Sequence, residues 1–278
     1  MSGKISAPSF LPSTPESDLS NYYFVGAALP DVKIGEPVEL TYSEFAVLLS
    51  ANLTADDMRK VTIFRRFYDI KNMRHLWCDE EIEPYGNYGR LELEEAMLTG
   101  IGLRDYIYSF LEEYDETAKR LHNFSRLTSD YYRIESERTE GFLNEYLQFE
   151  REWRLVMTGM RAKKLERDLY VELQFEDTND PIVAQLIAQK DAKTYEPPRK
   201  YASLKPLFEM HQDHPMDLHQ AVCEYRFNTV DDMLGVQIFS IDKIIGYMVQ
   251  LILAEKWLEL DKQKGLEKLN EIHKTEGK

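Results

Sequence analysis

Only two cysteines occur in 278 residues, Cys78 and Cys223, far apart and without C-x-x-C spacing. That excludes a disulfide framework and fits a reducing compartment. Glycine (13) and proline (11) are few, while 30% of residues are charged, a balance that favours long helices over an all-β fold. No apolar run reaches the roughly 20 residues of a membrane span. The longest, Ile244 to Ala254, contains Gln250 and is flanked by Asp242, Lys243, Glu255 and Lys256, which predicts a buried helix of a soluble protein. Neither a G-x-x-x-x-G-K-S/T loop, nor G-x-G-x-x-G opening a helix, nor G-x-S-x-G is present, so no nucleotide cradle or serine elbow is signalled. Basic residues are in deficit, 34 against 49 acids, and the net charge of −15 argues against nucleic acid or anionic lipid as the main partner. The stretch 1–20 is rich in Ser and Pro with no apolar signal core, and is expected to be a disordered tail. Residues 21–278 are expected to form one helical domain, with sub-bundles over about 21–125, 126–210 and 211–278.

What the chain does have is aromatic residues (12%, with 17 Tyr) and strongly patterned helices. Phe142, Tyr146, Phe149, Trp153, Val156 and Met160 recur at steps of four and three, which places all six on one face of a helix over about 142–168. The end of that helix is basic: residues 151–167 carry net +4, and residues 59–74 carry net +5, leaving −24 for the remainder. Each basic run reads as a solvated helix face or as a docking surface for an acidic partner. The candidate docking residues are Arg59, Arg65, Arg66, Arg74, Arg154, Arg161, Lys163, Lys164 and Arg167.

The remaining helix signals are local. Thr41 and Glu44 form a capping box that opens a helix to about Ser50, and Thr54 starts another that runs toward Trp77. Asn21–Leu29 reads as a strand or extended segment and Asp79–Gly89 as a loop. Helices are expected over 91–99 and 103–124, and the polar stretch 133–139 as a link. Asp180-Pro181 starts a helix ending at Glu196-Pro197. Further helices are expected over 202–210, from His214-Pro215 to about Phe227, and from Asp231-Asp232 onward, with Ile241, Ile244, Ile245, Met248 and Ile252 on one face and a charged tail from Asp261. The total is about nine helices, a mainly α fold of packed bundles, with no repeat of fixed period.

No constellation demands an enzyme. The best metal candidate is His211, His214, His219 and Cys223, but Pro215 starts a helix in their midst and no standard zinc spacing is met. The bland alternative has His214 or Asp213 capping that helix and Cys223 packed in the core. Paired acids such as Glu112-Glu113 and Asp231-Asp232 are what abundant acid produces by chance. The sequence thus predicts no catalytic residues, no cofactor and no metal.

The opening N-Y-Y-F-V-G-A-A-L-P from Asn21, the T-Y-S-E-F from Thr41 and the R-L-V-M-T-G-M-R-A-K-K-L from Arg154 resemble a chlamydial-type family of formally uncharacterised proteins encoded among the components of a vacuolar/archaeal-type (V-type) rotary ATPase. More remotely, the chain resembles the connector component of the central stalk of those machines. That resemblance implies a non-catalytic connector: a funnel of three three-helix groups with one face on the membrane rotor ring and a cavity for the foot of the rotor shaft. It would pass torque for ion transport. It also implies a cytoplasmic protein held peripherally on the inner membrane through the ATPase complex. The other readings are a free-standing helical scaffold or adaptor, and last a metal-dependent hydrolase built on the His211–Cys223 cluster.

Overall fold

The structure is a computed structural model that describes residues 25–235 and 240–276, with side chains through Gly265. The tail expected over 1–20 lies outside the described residues, as do Asn21–Phe24; 25–28 form a helical turn rather than a strand, with Val25 fully buried.

The described residues hold no strand. They form twelve α-helices: α1 (Tyr42–Asn52), α2 (Ala55–Trp77), α3 (Arg90–Thr99), α4 (Asp105–Glu113), α5 (Thr117–His122), α6 (Phe124–Ser136), α7 (Gly141–Lys164), α8 (Leu169–Glu172), α9 (Pro181–Ala188), α10 (Leu204–His211), α11 (Pro215–Leu234) and α12 (Ile241–Glu276). Beyond the turn at 25–28, a 3-10 turn at Arg199–Tyr201 brings the helical elements among the described residues to thirteen, not nine; the four added are α5, α6, α8 and this 3-10 turn.

Each difference has a local cause. The helix expected over 103–124 breaks after Glu113 because Arg120 folds back, its guanidinium donating to the carbonyls of Tyr114 (2.6 Å) and Leu111 (3.3 Å) at the end of α4. The stretch read as a link from Arg133 is the last turn of α6. The helix expected to reach Asp168 stops at Lys164. Arg167 N–H donates to Ala162 O and Glu166 N–H to Lys163 O, with Glu166 at φ 52, a Schellman closure with glutamate in the left-handed position. Helix α9 ends at Ala188, well short of Glu196, and Gln189 ties the following loop by pairing with both backbone groups of Glu196. Asp231 and Asp232 do not open the last helix. They lie in the final turn of α11, where Asp231 accepts from Gln250 of α12. The charged segment from Asp261 continues α12 to Glu276.

The predicted caps at Thr41, Thr54 and Asp180 are all present. Helix α7 is the hub and packs against α6, α8, α9, α10, α11 and α12. Its aromatic stripe is buried: Phe142, Tyr146, Phe149, Trp153, Val156 and Met160 are all at most 9% exposed. So are Leu143, Leu147, Leu155 and Met157, which makes α7 an internal strut rather than a surface helix. Gly159 permits its closest approach: a Cβ there would lie 2.2 Å from Leu186 of α9 and 3.2 Å from the Tyr195 ring. Helices α11 and α12 pair antiparallel over their length, marked by Gly246 against Leu234, Trp257 bonded to Glu224, and Lys264 paired with Asp217. The run Ile244 to Ala254 is buried as expected, and no helix among the described residues is long and apolar enough to cross a membrane.

Candidate docking site

A helix carrying several arginines toward a core must meet acids there, because a buried unpaired charge is costly. Three such meetings hold the helices in place. At the centre, Glu150 of α7 is nearly fully buried and accepts from Arg226 Nε of α11 (2.7 Å) and from Arg154 one turn on (2.6 Å). These arginines hold the Glu150 carboxyl below its ordinary range against the opposing push of burial, which is the largest single influence. Arg154 also donates to Tyr132 OH and stacks 4.5 Å from the Phe67 ring centre. The second node joins Arg66 of α2 to Glu135 of α6 at 2.6 Å, with Tyr106 OH at 3.1 Å. In the third, Glu83 bridges Lys71 of α2 and Lys256 of α12, each at 2.8 Å. Burial raises the Glu83 pKa, but the two ammonium groups outweigh it and bring it down to about 2.

These nodes and their neighbours use most of the predicted docking residues. Arg65 donates to the carbonyls of Tyr85 and Gly86, and so holds the 80–89 loop onto α2. Arg66 and Arg154 are interior ties. Arg59 is exposed but paired with Asp56 on the same helix, and Arg74 lies over the Phe124 ring at 6.0 Å. Lys163 caps the loop after α9 through the carbonyls of Lys190 and Ala192. Lys164 bonds Gln212 O and Asp213, and Arg167 pairs with Glu172 at 3.3 Å. Only Arg161, of the nine, makes no hydrogen bond, ion pair or ring contact among the described residues.

Arg161 stands where two clefts meet. One, of about 480 Å³, opens between α6, the middle of α7 and α8; the other, of about 550 Å³, opens between the end of α7, α10 and α11. Both include Trp153 and Arg161, eight residues apart on α7 and so about 12 Å along its axis. The second cleft has apolar walls, with Leu165, Phe208, Leu218 and Val222, and its polar lining is Arg161, Lys164, Gln212 and His219. Among the described residues no acid lines it, in a chain with 49 acidic residues. Arg161 is exposed on its outer side, and partial desolvation against the cleft walls is all that lowers its pKa. His219 is exposed on its outer side, yet desolvation against the cleft walls, and then the positive fields of Lys256, Arg226, Lys71 and Arg161, push it down to about 4. The cleft lining is thus apolar and cationic: Lys164 is paired with Asp213, and Arg161 has no described counter-charge.

The His211–Cys223 candidates are dispersed. His211 ends α10, His214 precedes α11 without a side-chain cap, and Asp213 pairs with Lys164 instead of capping. His219 faces the cleft, and Cys223 is fully buried in the core. Among the described residues, no three His, Cys, Asp or Glu side chains gather to hold a metal ion.

Comparison with known proteins finds relatives by sequence. A family described as "Protein of unknown function (DUF2764)" matches residues 19–275. A Chlamydia muridarum protein is 26% identical over 262 residues, covering 92% of this chain and 98% of its own length. A Chlamydia pneumoniae protein is 27% identical over 266 residues, covering 92% and 99%. Both carry the name "Uncharacterized protein". No solved structure matches.

Proposed function

Because the chain belongs to the DUF2764 family, whose match spans nearly its whole length, we propose that it is a non-catalytic connector that docks partner proteins. The observation that carries this reading is the α7 strut, clamped at its middle by the Glu150–Arg226–Arg154 node and packed on six helices. Its one cation left uncommitted among the described residues, Arg161, faces a cleft. A connector under load needs helices whose relative positions are fixed by interior contacts, and a surface of distinct chemistry for each partner. The charged side chains at the three nodes are spent on one another. Helix α12, at 36 residues about 54 Å long, gives the fold an extended arm.

The finer form of the proposal is a central-stalk component of a V/A-type rotary ATPase, joining the soluble rotor shaft to the membrane rotor ring through a funnel of three three-helix groups. Its support is the resemblance of the Asn21, Thr41 and Arg154 segments to proteins encoded with such ATPases. In that role the chain takes no small-molecule substrate or nucleic acid and sits peripherally at the inner membrane through the complex. The second reading is a free-standing adaptor, favoured by the exposed Leu91 (79%), Leu98 (88%) and Ile101 (77%) at α3, which offer a separate apolar contact face. Tagged protein isolated from detergent-solubilised membranes of its source cell separates the two. The stalk reading expects recovery of the rotor-shaft and catalytic proteins of the ATPase in fixed ratio; their absence from every preparation overturns it and leaves the adaptor.

A further inference from the structure

The acid-free lining of the cleft at the end of α7 is the least expected feature of a chain with net charge −15. Acids close on most of its other cations: Glu150 on Arg226, Glu83 on Lys71 and Lys256, Glu176 and Asp180 on Arg151. Arg161 is solvent-exposed where it lines the cleft, and no described carboxylate pairs with it. A guanidinium presents five donors in a planar fork suited to a carboxylate. Around it lie apolar surfaces on α7, α10 and α11, so a ligand that satisfies the whole cleft must be anionic at one point and apolar beside it. The volume, about 550 Å³, admits one or two side chains together with their backbone. The other cleft, of about 480 Å³, continues past Trp153, which suits an extended segment better than a compact molecule.

We propose that the cleft walled by Trp153, Leu165, Phe208 and Leu218 binds an acidic–apolar peptide segment of a partner protein, with its carboxylate on Arg161 and the adjoining apolar side chain between α10 and α11. The proposal rests on the docking-connector reading and supplies the chemistry of one partner. Arg161 is the specificity-determining contact; Lys164, which also lines the cleft, is already paired with Asp213. His219 sits within the same field and gives a spectroscopic report: a carboxylate bound beside it offsets the positive charges and raises its pKa from about 4.

A display library of random ten-residue peptides, panned on the full chain, tests this directly. The expected result is enrichment of peptides with Asp or Glu next to Leu, Phe or Trp. A fluorescein-labelled enriched peptide should bind at least about tenfold more weakly to Arg161→Gln, and a Glu→Gln copy of the peptide should lose a similar factor. Lys33→Ala, a change to an exposed cation far along the chain from the cleft, should leave binding unchanged. Circular dichroism checks that Arg161→Gln remains folded, and Arg161→Lys, which keeps the charge, should restore part of the affinity. No enrichment, or enrichment that survives Arg161→Gln, overturns the proposal. So does binding that appears only after deletion of residues 1–24, which would assign the cleft to the chain's own terminus. Saturable binding of decanoate without peptide enrichment overturns it in favour of a small amphiphile. Since panning uses purified protein alone, failure here is distinguishable from failure to recover ATPase proteins from membranes.

Discussion

Glu150→Gln is the substitution that most directly tests whether α7 is a clamped strut. Glu150 is 3% exposed at its side chain and is held by Arg226 at 11% and Arg154 at 25%. Arg154 can turn toward water and keeps its ring contacts with Phe67 and Trp153. Arg226 cannot: it is walled in by Trp153, and its hydrogen bond to Tyr146 OH is a long one (3.3 Å). Removing the carboxylate charge therefore strands a guanidinium, and breaking such a buried pair typically costs about 3–5 kcal/mol. At about 2 °C per kcal/mol for a chain of this size, Tm should fall by about 6–10 °C. Urea unfolding followed in parallel by tryptophan fluorescence and circular dichroism measures the loss, provided the two transitions coincide. The double variant Glu150→Gln/Arg226→Met removes the stranded charge and should recover about 2 kcal/mol relative to the single variant. A pH series adds a sign test. The folded-state pKa of Glu150 is depressed, so its contribution is complete above the ordinary carboxylate value of 4.5 and is lost as pH falls through the lower folded value. The gap between wild type and Glu150→Gln should therefore narrow below about pH 4.5. A loss under about 1 kcal/mol, or a double variant no more stable than the single, would refute the reasoning.

Trp153→Ala should cost about 3–5 kcal/mol in the same urea assay, because the ring fills the core between α7 and α11; under about 1 kcal/mol would mark it as a surface residue. Gly159→Ala should destabilise by about 1–3 kcal/mol, since its methyl would meet Leu186 at 2.2 Å, and a neutral result would show that α9 shifts freely. Glu166→Gly should stabilise by about 0.4–1 kcal/mol, because glycine takes the φ of 52 without a Cβ penalty; destabilisation would show that the glutamate side chain matters to the closure of α7. The His219 ring protons, followed by NMR, should show no titration until the pH nears about 4, and a transition near the ordinary 6.5 would show that the cleft is open and solvated.

The parts of the fold legible in the sequence are those written within one or two helical turns. Thr41 with Glu44, Thr54 with Asp57, and Asp180 with Pro181 are complete within four residues, and each cap stands where the sequence predicts it. The three-and-four spacing from Phe142 to Met160 reports a buried face for the same reason. The misses were set by contacts that spacing does not encode. The break after Glu113 depends on Arg120 reaching back to the carbonyl of Tyr114 rather than extending into solvent. The early stop of α7 depends on a glutamate accepting the left-handed backbone that sequence patterns assign to glycine or asparagine. Asp231-Asp232 has the look of a helix start because acids favour that end, yet α11 carries them in its last turn, against its own dipole, where Asp231 meets Gln250.

The candidate site shows the same division more sharply. A run of arginines on a helix looks identical whether water solvates it or acids from distant helices close on it. Glu135 lies 69 residues from Arg66, and Arg226 lies 76 from Glu150. With the rest of the chain at −24, partners for almost any buried cation exist somewhere, and folding decides which are supplied. Within the two basic runs Arg65, Arg66 and Arg154 become ties between elements, while Arg59, Arg74, Arg161, Lys164 and Arg167 stay exposed. The informative cation is the one the fold leaves over. Arg161 sits on the same helix as Arg154 and within reach of the same acid-rich chain, yet its cleft is built from Leu, Phe, Val and His side chains with the described acids turned elsewhere. Supplying it with a carboxylate from within would have taken a single acidic substitution at Leu165 or Gln212. With neither position acidic, Arg161 is left to water or to the carboxylate of the peptide proposed to bind there.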